Sequence, residues 1–128
     1  MKSIDFQPMP KRFMVWDKGL QKFYEDSNGI VSSVGLYGIV EFLNVCGRPL
    51  EQLEVIQSTN LFDKDGKEIF EGSIVDYNGD GTALGVVVSI DGQWQLKDKN
   101  GNLMFLKGAP HQKLVSHILS NPELLEGV

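Results

Sequence analysis

The spacing of turn signals most constrains what this chain can fold into. From Ser73 onward, short apolar runs are cut by Asn78-Gly79, Asp91-Gly92, Asn100-Gly101 and Gly108-Ala109-Pro110. Short apolar runs separated by glycine-rich turns are the signature of β-structure. Ser73 to Tyr77, Ala83 to Ile90, Gln93 to Leu96, Leu103 to Leu106 and Leu114 to Leu119 therefore read as strands. Asp91-Gly92 and Asn100-Gly101 suit two-residue hairpin turns, because both dipeptides tolerate positive φ. Val86-Val87-Val88 is three β-branched residues in a row, which implies burial on both faces or strong curvature. Five short strands in so few residues favour closure, since closure hides sheet edges. An SH3-like barrel over about 61–120 is the specific expectation.

The first half is β-rich but less regular. Phe13-Met14-Val15-Trp16, a turn at Asp17-Lys18-Gly19, and Lys22-Phe23-Tyr24 read as a hairpin. Asn28-Gly29 is a further turn signal before Ile30-Val31, and Ile39 to Val45 is another apolar stretch. Pro49 to Leu53 suits one short helical turn. Glu54 to Ser58 alternates like a strand with one covered face. At the end, Asn121-Pro122-Glu123-Leu124-Leu125-Glu126 has the order of a helix start: Asn as N-cap, Pro first, Glu at the positive end of the dipole. Leu124 and Leu125 are expected to dock on the body or on a neighbouring subunit. With 128 residues and no linker-like segment, one mainly-β domain over 1–128 is expected. It comprises an irregular half (about 1–60), the barrel (about 61–120) and a terminal helix (121–126).

Charge and composition narrow the function classes. The net charge is −5, which does not draw a whole protein to phosphate backbones. The charge is uneven, at +3 from Lys2 to Lys22, −6 from Glu51 to Asp80 and +3 from Lys97 to Lys113. The two basic ends could share a face, or all three runs could be solvated surface. Cys46 is the single cysteine, so no internal disulfide forms; an apolar context reads it as a buried structural thiol. No apolar run approaches the roughly 18 residues of a membrane span, and no leader pattern opens the chain. A cytoplasmic protein without membrane contact is expected.

At this point the residues resemble a known family. Arg12-Phe13-Met14-Val15-Trp16-Asp17 with Phe23-Tyr24 is similar to the opening of YopX-family proteins. So are Glu54-Val55-Ile56-Gln57-Ser58-Thr59 and the block from Leu61 to Val75, and so is the closing Asn121-Pro122-Glu123-Leu124-Leu125. The likeness spans roughly residues 11 to 126. The family block has glycine where Asn60 stands and aspartate where Ser73 stands. The resemblance implies a phage or prophage protein of a bacterial host with an SH3-like barrel in its C-terminal part. It implies no activity, and no catalytic residue is carried over.

Chemical motifs are sparse. Asp76-Tyr77-Asn78-Gly79-Asp80-Gly81 matches the start of an EF-hand loop. The twelfth position, which should be glutamate, is Val87, so a β-turn is the better reading. Asp63-Lys64-Asp65-Gly66 fails the same requirement. His111 and His117 are six apart, a spacing that puts them on no common face for zinc. Glu68 and Glu71 could share acid-base work, but exposed acids beside a turn are the plainer reading. Phosphate-loop, dinucleotide and nucleophile-elbow patterns are absent from the sequence. No cofactor is expected, and neither is an enzyme. Trp94 with Lys97 and Lys99 could stack a base and hold a phosphate, unless Trp94 is the main core aromatic of the barrel. A binding protein with a protein partner is expected, with a homo-oligomer compatible. Nucleic-acid binding through the barrel face is the alternative, and a small hydrolase has no supporting motif.

Overall fold

The structure is a computed structural model that describes residues 12–24, 33–45, 47–79, 81 and 83–125. The Asn28-Gly29 turn, Ile30-Val31, Cys46, Asp80, Glu126 and the basic residues Lys2 and Lys11 lie outside the described residues.

The apolar run at the start forms β1 (Arg12–Asp17), and it returns as β2 (Lys22–Phe23) in the expected hairpin, with Trp16 opposite Phe23. β1 is the hub of the first sheet. It pairs with β2, with β3 (Val34–Gly35) and with β4 (Leu53–Phe62), and β5 (Glu68–Phe70) completes the sheet beyond β4. A single turn of 3₁₀ helix, Leu50–Gln52, leads into β4 as its sequence suggests. On β4 Ile56, Ser58 and Thr59 are buried, while Glu54 and Val55 are exposed.

The apolar stretch from Ile39 to Val45 forms most of helix α1 (Leu36–Val45). Ile39 is buried and Phe42 and Leu43 are half-buried, the one-face spacing of a helix rather than a period of two. Gly38 lets the helix sit against Val34, since a Cβ there would lie 3.3 Å from the valine Cβ. Phe42 meets the Tyr24 ring edge to face at 4.8 Å. No helix among the described residues is long and apolar enough to cross a membrane.

The second sheet is built from β6 (Ser73–Asp76), β7 (Leu84–Ile90), β8 (Gln93–Lys97), β9 (Leu103–Phe105) and β10 (Lys113–His117), in the order β10-β6-β7-β8-β9. It curls into a half-barrel with the meander expected of an SH3-like unit. Asp91 and Gly92 have φ of 52° and 78°, the double positive φ of a type I′ hairpin. Val87 is buried and Val86 and Val88 are half-buried, so β7 has one inner face on a curved sheet. Among the described residues no ladder joins β9 to β10. The buried Gln112 side chain bridges that gap. Its carbonyl accepts the Lys107 and Gly108 amides at 2.8 and 2.7 Å, and its amide donates to the Phe105 carbonyl at 3.3 Å.

The two sheets share a core. Ile69 from β5 packs with Val75, Val87, Leu96 and Leu106 of the half-barrel, and Leu61 of β4 packs against them. The boundary expected near residue 60 therefore falls later, at Glu71-Gly72, where the chain leaves β5 and enters β6. A bulge near Asn60 makes this sharing work. The β4–β5 register shifts between Ser58 and Leu61, and Asn60 has φ 61°. Asparagine tolerates that left-handed conformation, which accounts for a family glycine at this position. The family aspartate also has its equivalent here, because the Ser73 hydroxyl accepts the Phe70 amide at 2.9 Å as a carboxylate would.

The C-terminal helix is shorter than expected, one 3₁₀ turn over Pro122–Leu124. Asn121 does not cap it through its side chain. That side chain instead accepts the Ser116 hydroxyl and donates to Glu123 Oε1. Leu124 and Leu125 dock on the body, against a hollow shared with Tyr77, Leu84 and Lys99.

Asp63 holds the sheets in register. Its buried carboxylate accepts the Asp65 and Lys67 amides at 2.9 and 2.8 Å and the Leu114 amide of β10 at 2.8 Å. Asp63→Ala orphans these donors, and charge-assisted bonds of this kind are worth about 1.5–3 kcal/mol each. Urea denaturation should show a loss of roughly 2–5 kcal/mol without refilling of the site; a loss below 1 kcal/mol would refute the assignment.

Candidate functional site

The corner between the sheets is built around Gly72 and His117. Gly72 has φ 83°, and a Cβ on it would lie 2.6 Å from His117 Cε1. The buried imidazole fills the space that a side chain would need. Its Nδ1 accepts the Leu119 amide at 3.1 Å, so Nε2 carries the proton and donates to the Glu71 carbonyl at 2.7 Å. The ring also meets Phe23 edge to face at 5.0 Å, and Phe23 meets Trp16 in the same way at 4.7 Å. Burial pushes the His117 pKa down, partly opposed by the Glu71 carbonyl and the charge of Glu54.

Over this corner lies a groove of about 550 Å³ between β1, β5 and β10. Its apolar lining includes Met14, Phe23, Phe62, Phe70 and Val115. Phe62 is 43% exposed and Val115 46%, so both stand at the rim. The polar end is Glu68. Its carboxylate accepts Ser58 Oγ at 2.6 Å and Ser33 Oγ at 3.1 Å and pairs with Arg12 Nε at 3.2 Å. Arg12 Nε also donates to Ser33 Oγ at 2.8 Å. Glu68 is thus committed to a network and is not a free acid or base. Glu71, its companion in the sequence reading, is exposed at the corner and contributes its backbone carbonyl.

The groove was invisible in the sequence because its walls come from five separated segments. One signal existed. Leu61 and Phe62 are adjacent in a strand, so the alternation that packs Leu61 on the core turns Phe62 outward.

The remaining sequence candidates resolve as follows. The Asp76 carboxylate accepts the amides of Asn78, Gly79 and Gly81, so it organises its own loop rather than facing a cation. Among the described residues no group of three or more His, Cys, Asp or Glu could hold a metal. His111 is exposed in the turn before β10, far in role from buried His117. Trp94 is half-buried and packs on the barrel core, the core reading of this residue. Lys97 is exposed and, three residues along the strand, points to the opposite face. Lys99 is exposed at the hairpin tip, in the hollow with Leu124. Trp94, Lys97 and Lys99 are not brought together.

A second buried charge lies outside the groove. Asp17 accepts Arg48 at 2.8 and 3.2 Å, Tyr24 Oη at 3.1 Å and the Leu20 amide at 3.0 Å. The Arg48 guanidinium, followed by these other donors, holds Asp17 well below the usual carboxylate range despite burial. Burial also pushes Asp63 up, but its three amide bonds and the Lys67 charge outweigh that and leave it lowered.

Both signs of pH dependence follow. The unfolded chain takes a proton on His117 near pH 6.5 while the folded ring resists it. Stability should therefore fall as pH drops below about 6.5, and His117→Gln should flatten that limb. A second fall, below about pH 4, belongs to Asp17 and Asp63, whose contribution is present above the unfolded carboxylate pKa. Denaturation midpoints measured from pH 8 to 3 read both limbs; an unchanged upper limb in His117→Gln would refute the buried-neutral assignment.

Comparison with known proteins follows from this fold. The family described as YopX protein matches residues 12–126. Protein EF1440 from Enterococcus faecalis is similar in structure, with a TM-score of 0.54 and 22% identity, covering 91% of this chain and 98% of that one. Protein yopX from Bacillus subtilis is similar with a TM-score of 0.50 and 20% identity, covering 94% of this chain and 99% of that one. At these identities the likeness concerns the fold. The comparison with curated proteins gives no match.

Proposed function

The chain belongs to the YopX family, and on that premise we propose that it is a phage or prophage accessory protein acting by binding a protein partner. It works without catalysis of its own, in the cytoplasm of the bacterial host. The corner groove carries this reading. Exposed Phe62 and Val115 stand at the rim of a groove lined by Met14, Phe23 and Phe70 together with His117, and an ordered polar cluster, Arg12–Glu68–Ser33–Ser58, closes one end. Largely apolar concave sites with a few convergent polar groups suit an anchoring side chain from a partner. The groove is preformed, because Glu68 fixes one end and His117 the floor. Binding therefore has little ordering cost.

The reading is tested by capture from phage-producing host cells on the immobilised protein, with Phe62→Asp and Val115→Asp as comparators. A protein retained by the parent and lost by either variant supports it. Recovery of nothing, or equal recovery on parent and variants, overturns it. Light scattering on the same samples shows whether the retained partner is a second copy of the chain.

A further inference from the structure

The outer face of the β8–β9 hairpin has a composition the sequence did not suggest. Antiparallel partners share a face. Lys97 lies opposite Leu103 and Gln95 opposite Phe105, with Val86 and Val88 beside them on β7. Leu96 and Met104 occupy the other face and pack in the core. Phe105 is 75% exposed and Leu103 49%. Lys97 sits one pleat repeat, roughly 7 Å, along the face from Phe105. Lys107 follows Phe105 by two residues and enters a hollow of about 660 Å³ along the β9 side.

Basic charges predominate here. The titratable lining of that hollow is Tyr77, Lys107 and His111, and no carboxylate lines it. The one acid in the stretch, Asp98, spends its carboxylate on the Asn100 and Asn102 amides at 2.9 Å each and on the Asn102 side chain. Lys97 to Lys113 carries +3, while Glu51 to Asp80 carries −6. A polyanion repelled by the rest of the protein meets attraction on this face. The backbone from Phe105 to Gly108 is held by Gln112, so the aromatic and Lys107 are presented on a fixed support.

We propose that the outer face of the β8–β9 hairpin, with Phe105 flanked by Lys97 and Lys107, is a binding site for single-stranded nucleic acid. An exposed ring on a sheet face stacks a base, and lysines on either side take the adjoining phosphates. A duplex keeps its base faces stacked on one another and cannot offer one to Phe105. An acidic peptide would satisfy the lysines but would leave the ring without a flat partner. The site is separate from the corner groove.

The test is fluorescence anisotropy of a labelled oligothymidylate of about 12 nucleotides at low salt. Phe105→Ala should weaken binding by about tenfold or more, and a ring this exposed can be removed without unfolding the protein. Lys97→Gln and Lys107→Gln should each flatten the salt slope by roughly 0.7. Phe62→Asp should leave the affinity unchanged. Absence of binding at the lowest salt, an unchanged affinity in Phe105→Ala, equal affinity for duplex, or equal displacement by polyglutamate each overturns the proposal.

Discussion

The imidazole of His117 is the contact on which the two-sheet arrangement depends. Two residues, Glu71 and Gly72, separate β5 of one sheet from β6 of the other. So sharp a corner leaves backbone groups that need partners and a volume that needs filling. His117 meets both needs. It bonds the Glu71 carbonyl and the Leu119 amide, and its ring occupies the space above Gly72. Through Phe23 and Trp16 the same ring couples β10 to the opening hairpin. A charged imidazole has two donors and no acceptor, so protonation would leave the Leu119 amide facing another N–H. The neutral ring is therefore part of the architecture.

Buried carboxylates do comparable work at a distance. Asp63 joins the β4–β5 turn to β10, fifty-one residues later. Asp17 joins β1 to Arg48, at the entry to β4. Each is surrounded by donors that replace water. This is why acids that look like candidates in a motif scan carry no free chemistry here. Glu68 and Asp76 follow the same rule, one in a side-chain network and one in its own loop. The two surfaces proposed for binding lie apart from these acids: the groove at the corner and the lysine-flanked aromatic face on the half-barrel.

Much of the fold was legible because turns and hairpins are written locally. Asp91-Gly92 takes the double positive φ that its residue types favour, and the meander around it follows. The α1 segment stays unassigned in the sequence because an apolar run bounded by glycines fits a strand or a buried helix equally well, and only packing on β1 and Tyr24 decides between them. Asn121 misled for a related reason. Its side chain had a better partner in Ser116 than in the helix it precedes.

The sequence by itself determined the family, the mainly-β class, the half-barrel and its turns. These depend on alternation and on residues that accept particular backbone angles, which act over a few positions. The tertiary structure alone decided which side chains meet. Trp94 and Lys97 are three apart, yet the pleat sends them to opposite faces, while Phe105 reaches the lysine's face through register. Phe62 faces away from the core because Leu61 beside it faces in, and it becomes part of a groove only because β1 and β10 supply the other walls. Register and bulges are set by long-range pairing, and that information is spread across strands far apart in the chain.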